Sequence, residues 1–156
     1  LRNAAAAEHA RPGPAEGEIS HTRSPSQKSQ CRHSARLRAR AQNNSYNNDS
    51  VSVQFSGSVD QAGAPVFRIG TTGGIPIVLE DCGGCGVSGW GWQDNGYGIG
   101  VLGPTITFGS GGVQTIRIQR REDGISIDQI VLSPVTYLGT SPGATKNDTR
   151  ILPRTQ

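Results

Sequence analysis

Residues 109–134, GSGGVQTIRIQRREDGISIDQIVLSP, leave this chain little choice of fold. Ile116 and Ile118 share one face of a strand-like run, and Thr115, Arg117 and Gln119 the other. This period of two marks a half-buried strand. Glu122, Asp123 and Gly124 supply a tight turn, with Gly124 suited to the positive φ such a turn requires. On the return run Ile125 and Ile127 share a face, but Ile130 and Leu132 lie on the other. One extra residue in a ladder produces that change of parity, so a β-bulge is expected at Asp128 and Gln129. Pro134, which has no N–H for the ladder, ends the strand. The stretch therefore reads as the terminal hairpin of an all-β domain.

The rest of the chain agrees. Its 156 residues suffice for one domain with a modest core. Hydrophobic residues make up 33%, and the 22 glycines favour short strands and long turns over helices. The chain lacks Met, so it reads as a piece of a longer protein. No run reaches the ~18 apolar residues of a membrane-spanning helix, and no basic-then-apolar leader opens the chain.

Charge divides the sequence. Residues 1–40 hold eight basic and three acidic side chains, whereas the remainder holds seven basic and nine acidic ones. All three histidines lie in the basic part and every aromatic residue follows it. Residues 1–34, rich in Ala, Arg, Ser and Pro, show no apolar period and are expected to be disordered. A nucleic-acid-binding arm is one reading of this tail. The preferred reading is a non-native segment, because no aromatic side chains are interleaved for stacking on bases. Nucleic acid is thus an unlikely partner.

Residues 35–41 (ARLRARA) alternate small or apolar positions with Arg36, Arg38 and Arg40, predicting a strand whose arginines reach solvent. A polar loop follows over 42–49. Residues 50–56 alternate again, with Val51, Val53 and Phe55 inward. Short strands are expected at 66–69 and 75–79, separated by a Gly-rich turn, and at 105–108. About seven strands with intervening turn signals predict an antiparallel β-sandwich over 35–138. Residues 139–156 read as a linker towards further domains.

Four segments carry a family resemblance: NNDSVSVQFS, FRIGTT, LEDCGGCGVSGWGWQDNGYG and TIRIQRREDGISIDQIVLSPVTYL. Together they resemble a β-sandwich module of large secreted bacterial proteins. The final strands are similar to those of galactose-binding-like jelly rolls, including family 6 and family 35 carbohydrate-binding modules and malectin-like domains. The shared pattern is a Gly-led strand (Gly112, Thr115, Ile116, Ile118), a Gly turn, then Ile127-Asp128. Residues 1–34 do not match the acidic first strand of those families, so a sandwich lacking an edge is expected. The resemblance implies an extracellular or cell-surface location and a polysaccharide or other glycan as partner. It also implies a structural calcium in related modules, with Asp128 matching their last-strand carboxylate. The first-strand carboxylates that would complete that site are absent here.

Two constellations stand out within the module. In GWGWQDNGYG (89–98), Trp90, Trp92 and Tyr97 are interspersed with Gln93, Asp94 and Asn95. Sugar recognition uses such a set, with rings stacking on the pyranose and amides or carboxylates taking hydroxyls. Trp90, Trp92, Asp94, Asn95 and Tyr97 are accordingly the candidate glycan ligands. The alternative is that Trp90 and Trp92, which share parity, cap the core. Cys82 and Cys85, three apart, can close a disulfide, ligate a metal or act as a redox pair. A redox pair normally begins a helix, and zinc requires further ligands, so a loop disulfide in an oxidising compartment is expected, with free thiols the alternative.

Catalysis has little support in the sequence. Without His in the module no Ser-His-Asp or Cys-His arrangement can form. Neighbouring carboxylates on a strand, such as Glu80 and Asp81, point to opposite faces. The expected function is non-catalytic glycan binding, and the rival is a structural or adhesive spacer with no ligand.

Overall fold

The computed structural model describes residues 31–154, and the expectations for residues 1–30 lie outside them. The described chain is all-β. Its strands are β1 (Arg32–Ala41), β2 (Ser50–Phe55), β3 (Ser58–Val59), β4 (Ile75–Val78), β5 (Gly91–Gln93), β6 (Ile106–Phe108), β7 (Ile116–Arg120) and β8 (Ile125–Ser133). β1 starts at Arg32, so residues 32–34 belong to the domain and not to the tail.

Two antiparallel sheets form. In the first, β1 pairs with β8, β5 and β6, and β3 extends β6; in the second, β2 lies between β4 and β7. The alternation read from the sequence sets the inner faces. Ala35 and Leu37 from β1 and Ile106 and Phe108 from β6 meet Val51, Val53, Phe55, Ile75 and Ile77 from the second sheet in one buried cluster. Phe55 meets Phe108 edge-to-face, ring centroids 5.7 Å apart, the arrangement aromatic quadrupoles favour.

Four sequence expectations are corrected. First, β7 and β8 do not form a hairpin ladder: β7 pairs with β2 and β8 with β1, so the chain crosses between sheets at residues 121–124. The turn is fixed by bonds to neighbouring strand ends, Gln42 donating to the Gly124 carbonyl (2.9 Å) and Arg121 to the Ser50 carbonyl (3.4 Å). Gly124 takes the expected positive φ of 84°. Second, residues 66–69 are not a regular strand, because Phe67 adopts φ 48° and interrupts the extended run. They attach to the end of β2 through Phe55, which donates to Phe67 and accepts from Ile69.

Third, Arg36 and Arg38 do not reach solvent; both are 4% exposed. Arg36 contacts Asp94 at 2.6 Å, with both side chains buried. Arg38 pairs with Asp128, donates to the Asp148 carbonyl (2.7 Å), and stacks 5.0 Å from the Trp90 ring centroid. Carboxylates from distant segments compensate charges that short-range alternation assigned to water. Fourth, residues 142–152 lie over this outer face instead of leading away from it. Trp92 donates to Ala144, Asn147 to Ser88 and Asp148 to Trp90, all through backbone groups. Gln129 exchanges two hydrogen bonds with Leu152 (2.8 and 2.9 Å).

The bulge is where the parity change put it. Arg38 pairs with Gln129 and Ala39 with Ile127, which leaves Asp128 as the extra residue.

Candidate functional site

The chain crosses between the sheets twice at one end, through residues 42–49 and through 121–124. The two crossings are bonded together, the Asp49 amide donating to Glu122 (3.0 Å). Beside them opens a groove of about 450 Å³, lined by Tyr46, Asn47, Asp49, Glu80, Asn95, Tyr97, Arg121 and Glu122.

Local structure presents each group. Tyr46 opens a short 3-10 turn whose preceding Ser45 accepts from the Asn47 amide. It stands 64% exposed, and Tyr97 58%. Asn95 is oriented by donating to the Pro104 carbonyl (2.9 Å). Glu80 is held from two sides. Its amide donates to Asp49 (2.9 Å), and its carboxylate accepts from Gly84 (3.1 Å) and Gly86 (3.0 Å). Those two glycine amides flank Cys85 in the Cys82–Cys85 disulfide loop, Cα atoms 5.1 Å apart, as the spacing predicted.

Asp49 is 2% exposed, and burial pushes its carboxyl up to about 6, with the neighbouring Glu122 and Glu80 charges adding to the rise. Burial would also raise Glu122, but hydrogen bonds it accepts, including that from the Asp49 amide, outweigh it and hold the group below its usual range. The pair therefore retains one proton into the mildly acidic range. In the unfolded chain Asp49 titrates near ~3.9. Between about 4 and about 6 the native state thus holds a proton the unfolded state has lost. This contribution to stability is fully present at the acid end and disappears as pH rises through about 6. Glu122 acts in the opposite sense and only at lower pH, where its depressed folded value is crossed. Asp49→Asn keeps an acceptor for Glu80 and a donor for Glu122. It is expected to remove the decline between pH 5 and 7 and to raise Tm by a few degrees at pH 7.5 relative to the parent. Thermal melts across that range check this, and parallel curves for the two proteins would refute it.

The candidate residues of the GWGWQDNGYG segment separate. Asn95 and Tyr97 reach the groove. Trp92 is on β5, opposite Arg38, and is fully enclosed (0% exposed), so its ring offers no face to a ligand. Asp94 is occupied by Arg36. Trp90 is half-buried beneath the guanidinium groups of Arg38 and Arg40. Asp128, which the family resemblance matches to a calcium-binding carboxylate, meets Arg38, a cation supplied by β1, the strand beside it. Among the described residues no group of three or more His, Cys, Asp and Glu is arranged to hold a metal.

Tyr46, Asn47, Asp49, Glu80, Arg121 and Glu122 were not anticipated as site residues. A lone tyrosine among amides in QNNSYNND was the available signal. No family model, curated protein or solved structure matches this chain.

Proposed function

We propose that the chain is a non-catalytic carbohydrate-binding module of β-sandwich, galactose-binding-like type, part of a secreted or cell-surface protein. Its ligand lies in the groove between Tyr46 and Tyr97. The observation that carries this reading is the pairing of two exposed tyrosines with the Asn47 and Asn95 side chains around one groove. Rings of this kind stack on the apolar face of a pyranose, and the amides exchange hydrogen bonds with its hydroxyls. The Cys82–Cys85 disulfide supports an oxidising, extracellular setting.

Affinity electrophoresis through gels cast with different soluble polysaccharides tests the proposal. One polymer is expected to retard the chain, and Tyr97→Ala or Tyr46→Ala to weaken that retardation about tenfold while the circular dichroism spectrum is unchanged. Uniform migration in every gel would favour the spacer reading, which draws support from the use of Trp92 and Asp94 inside the fold.

A further inference from the structure

The segment from Asn95 to Phe108 carries no charged side chain. Within it, residues 97–102 form a small loop with a closed neck. A Cβ on Gly96 would lie 2.7 Å from the Gly103 nitrogen, and one on Gly103 2.5 Å from the Gly96 nitrogen, so the two backbones touch. Asn95 donating to Pro104 and Val101 donating to Gly98 (both 2.9 Å) fix the neck and the tip. On this rigid base stand Ile99 (80% exposed), Val101 (53%) and Leu102 (52%), with Tyr97 (58%) at the neck. Four large apolar side chains displayed within six residues differ from the isolated exposed apolar residues every surface carries.

We infer that this tip inserts into the interfacial region of an uncharged or zwitterionic lipid bilayer. Its size argues against a second copy of the chain. Six residues offer far less than the roughly 800 Å² per partner that a stable protein interface buries. A bilayer sets no such minimum, because each aliphatic side chain partitions on its own and a tyrosine at the neck suits the headgroup level. The charges around the base select the lipid. Among the described residues around the base, Asp94 is paired with Arg36, and Glu80 and Glu122 accompany Arg121 in the adjoining groove, so this surface has no excess of basic side chains to attract anionic headgroups.

Co-sedimentation of the full chain with phosphatidylcholine vesicles tests this. The chain is expected to pellet with the vesicles equally at low and high salt. Ile99→Asp and, separately, Val101→Asp are expected to lower the partition coefficient at least tenfold with an unchanged circular dichroism spectrum. Three results would overturn the inference: failure of the parent chain to pellet, equal pelleting of both variants, or pelleting that requires anionic lipid and disappears with salt. A dimer in sedimentation velocity that Ile99→Asp dissociates would also overturn it, assigning the tip to self-association. Tyr97 borders both the groove and the tip, but none of these readouts alters it or any other groove residue, so each proposal can fail without the other.

Discussion

Arg36→Met is expected to destabilise the domain by about 3–5 kcal/mol, because it leaves the Asp94 carboxylate buried without its counter-charge. Both side chains are less than a tenth exposed. Against a total stability of ~5–15 kcal/mol, that loss brings the chain close to unfolding at ambient temperature. The pair itself contributes far less than its removal costs. Among the described residues Nε and Nη2 of Arg36 have no hydrogen-bond acceptor, so the guanidinium is incompletely compensated. Arg36→Met combined with Asp94→Asn removes both charges and keeps an acceptor for the Gly96 amide, which Asp94 now satisfies at 2.7 Å. The double variant should regain at least half of the lost stability. Urea midpoints for the two singles and the double close the cycle. A double variant no more stable than Arg36→Met would mean that the ion pair is not the source of the loss.

Trp92→Ala is expected to cost a further-reaching ~3–5 kcal/mol through the cavity left by a fully enclosed ring. The damage should also spread to the segment over that ring. The Trp92 amide holds Ala144, and a Cβ on Gly143 would lie 2.9 Å from Cδ1 of Trp92. Denaturant unfolding measures the first effect, and faster amide exchange in residues 142–148 the second. A loss below 1 kcal/mol would show that the ring does not support this face. The prediction bears on the glycan test too. A Trp92 variant that failed to bind would report a damaged fold, which is why Tyr46 and Tyr97 are the informative positions.

Features written in short-range pattern were legible. Val51, Val53 and Phe55 alternate into the core as read, and the parity change in β8 located the bulge at Asp128. Pairing partners were not legible from pattern. The turn at 121–124 looks like a hairpin, because a period-two run on each side of a Gly turn is common to hairpins and to crossings between sheets. Arg40 is exposed as read, but the burial of Arg36 and Arg38 was not legible, since Asp128 and Asp148, which meet Arg38, lie 90 and 110 positions away in sequence. Trp92 stood among the candidate glycan ligands because it shares a run with other aromatic and amide side chains, yet it lies on β5, a strand held against β1, and is enclosed. The groove was half visible: Asn95 and Tyr97 stood out beside two tryptophans, while Tyr46 and Glu122 join them only through the double crossing.

The pairing of β1 with β8 bears on the order of events during synthesis. β1 is among the first described residues to leave the ribosome, and its longest partner, β8, is the last strand. Until β8 emerges, Arg38 lacks Asp128 and β1 lacks its main ladder. The first sheet therefore cannot close until the described strands through β8 have all been released. Such long-range closure slows folding and leaves open strand edges exposed meanwhile. A chain arrested before residue 125 should remain protease-sensitive throughout its first sheet, and a helper that shields strand edges would act on it during that interval.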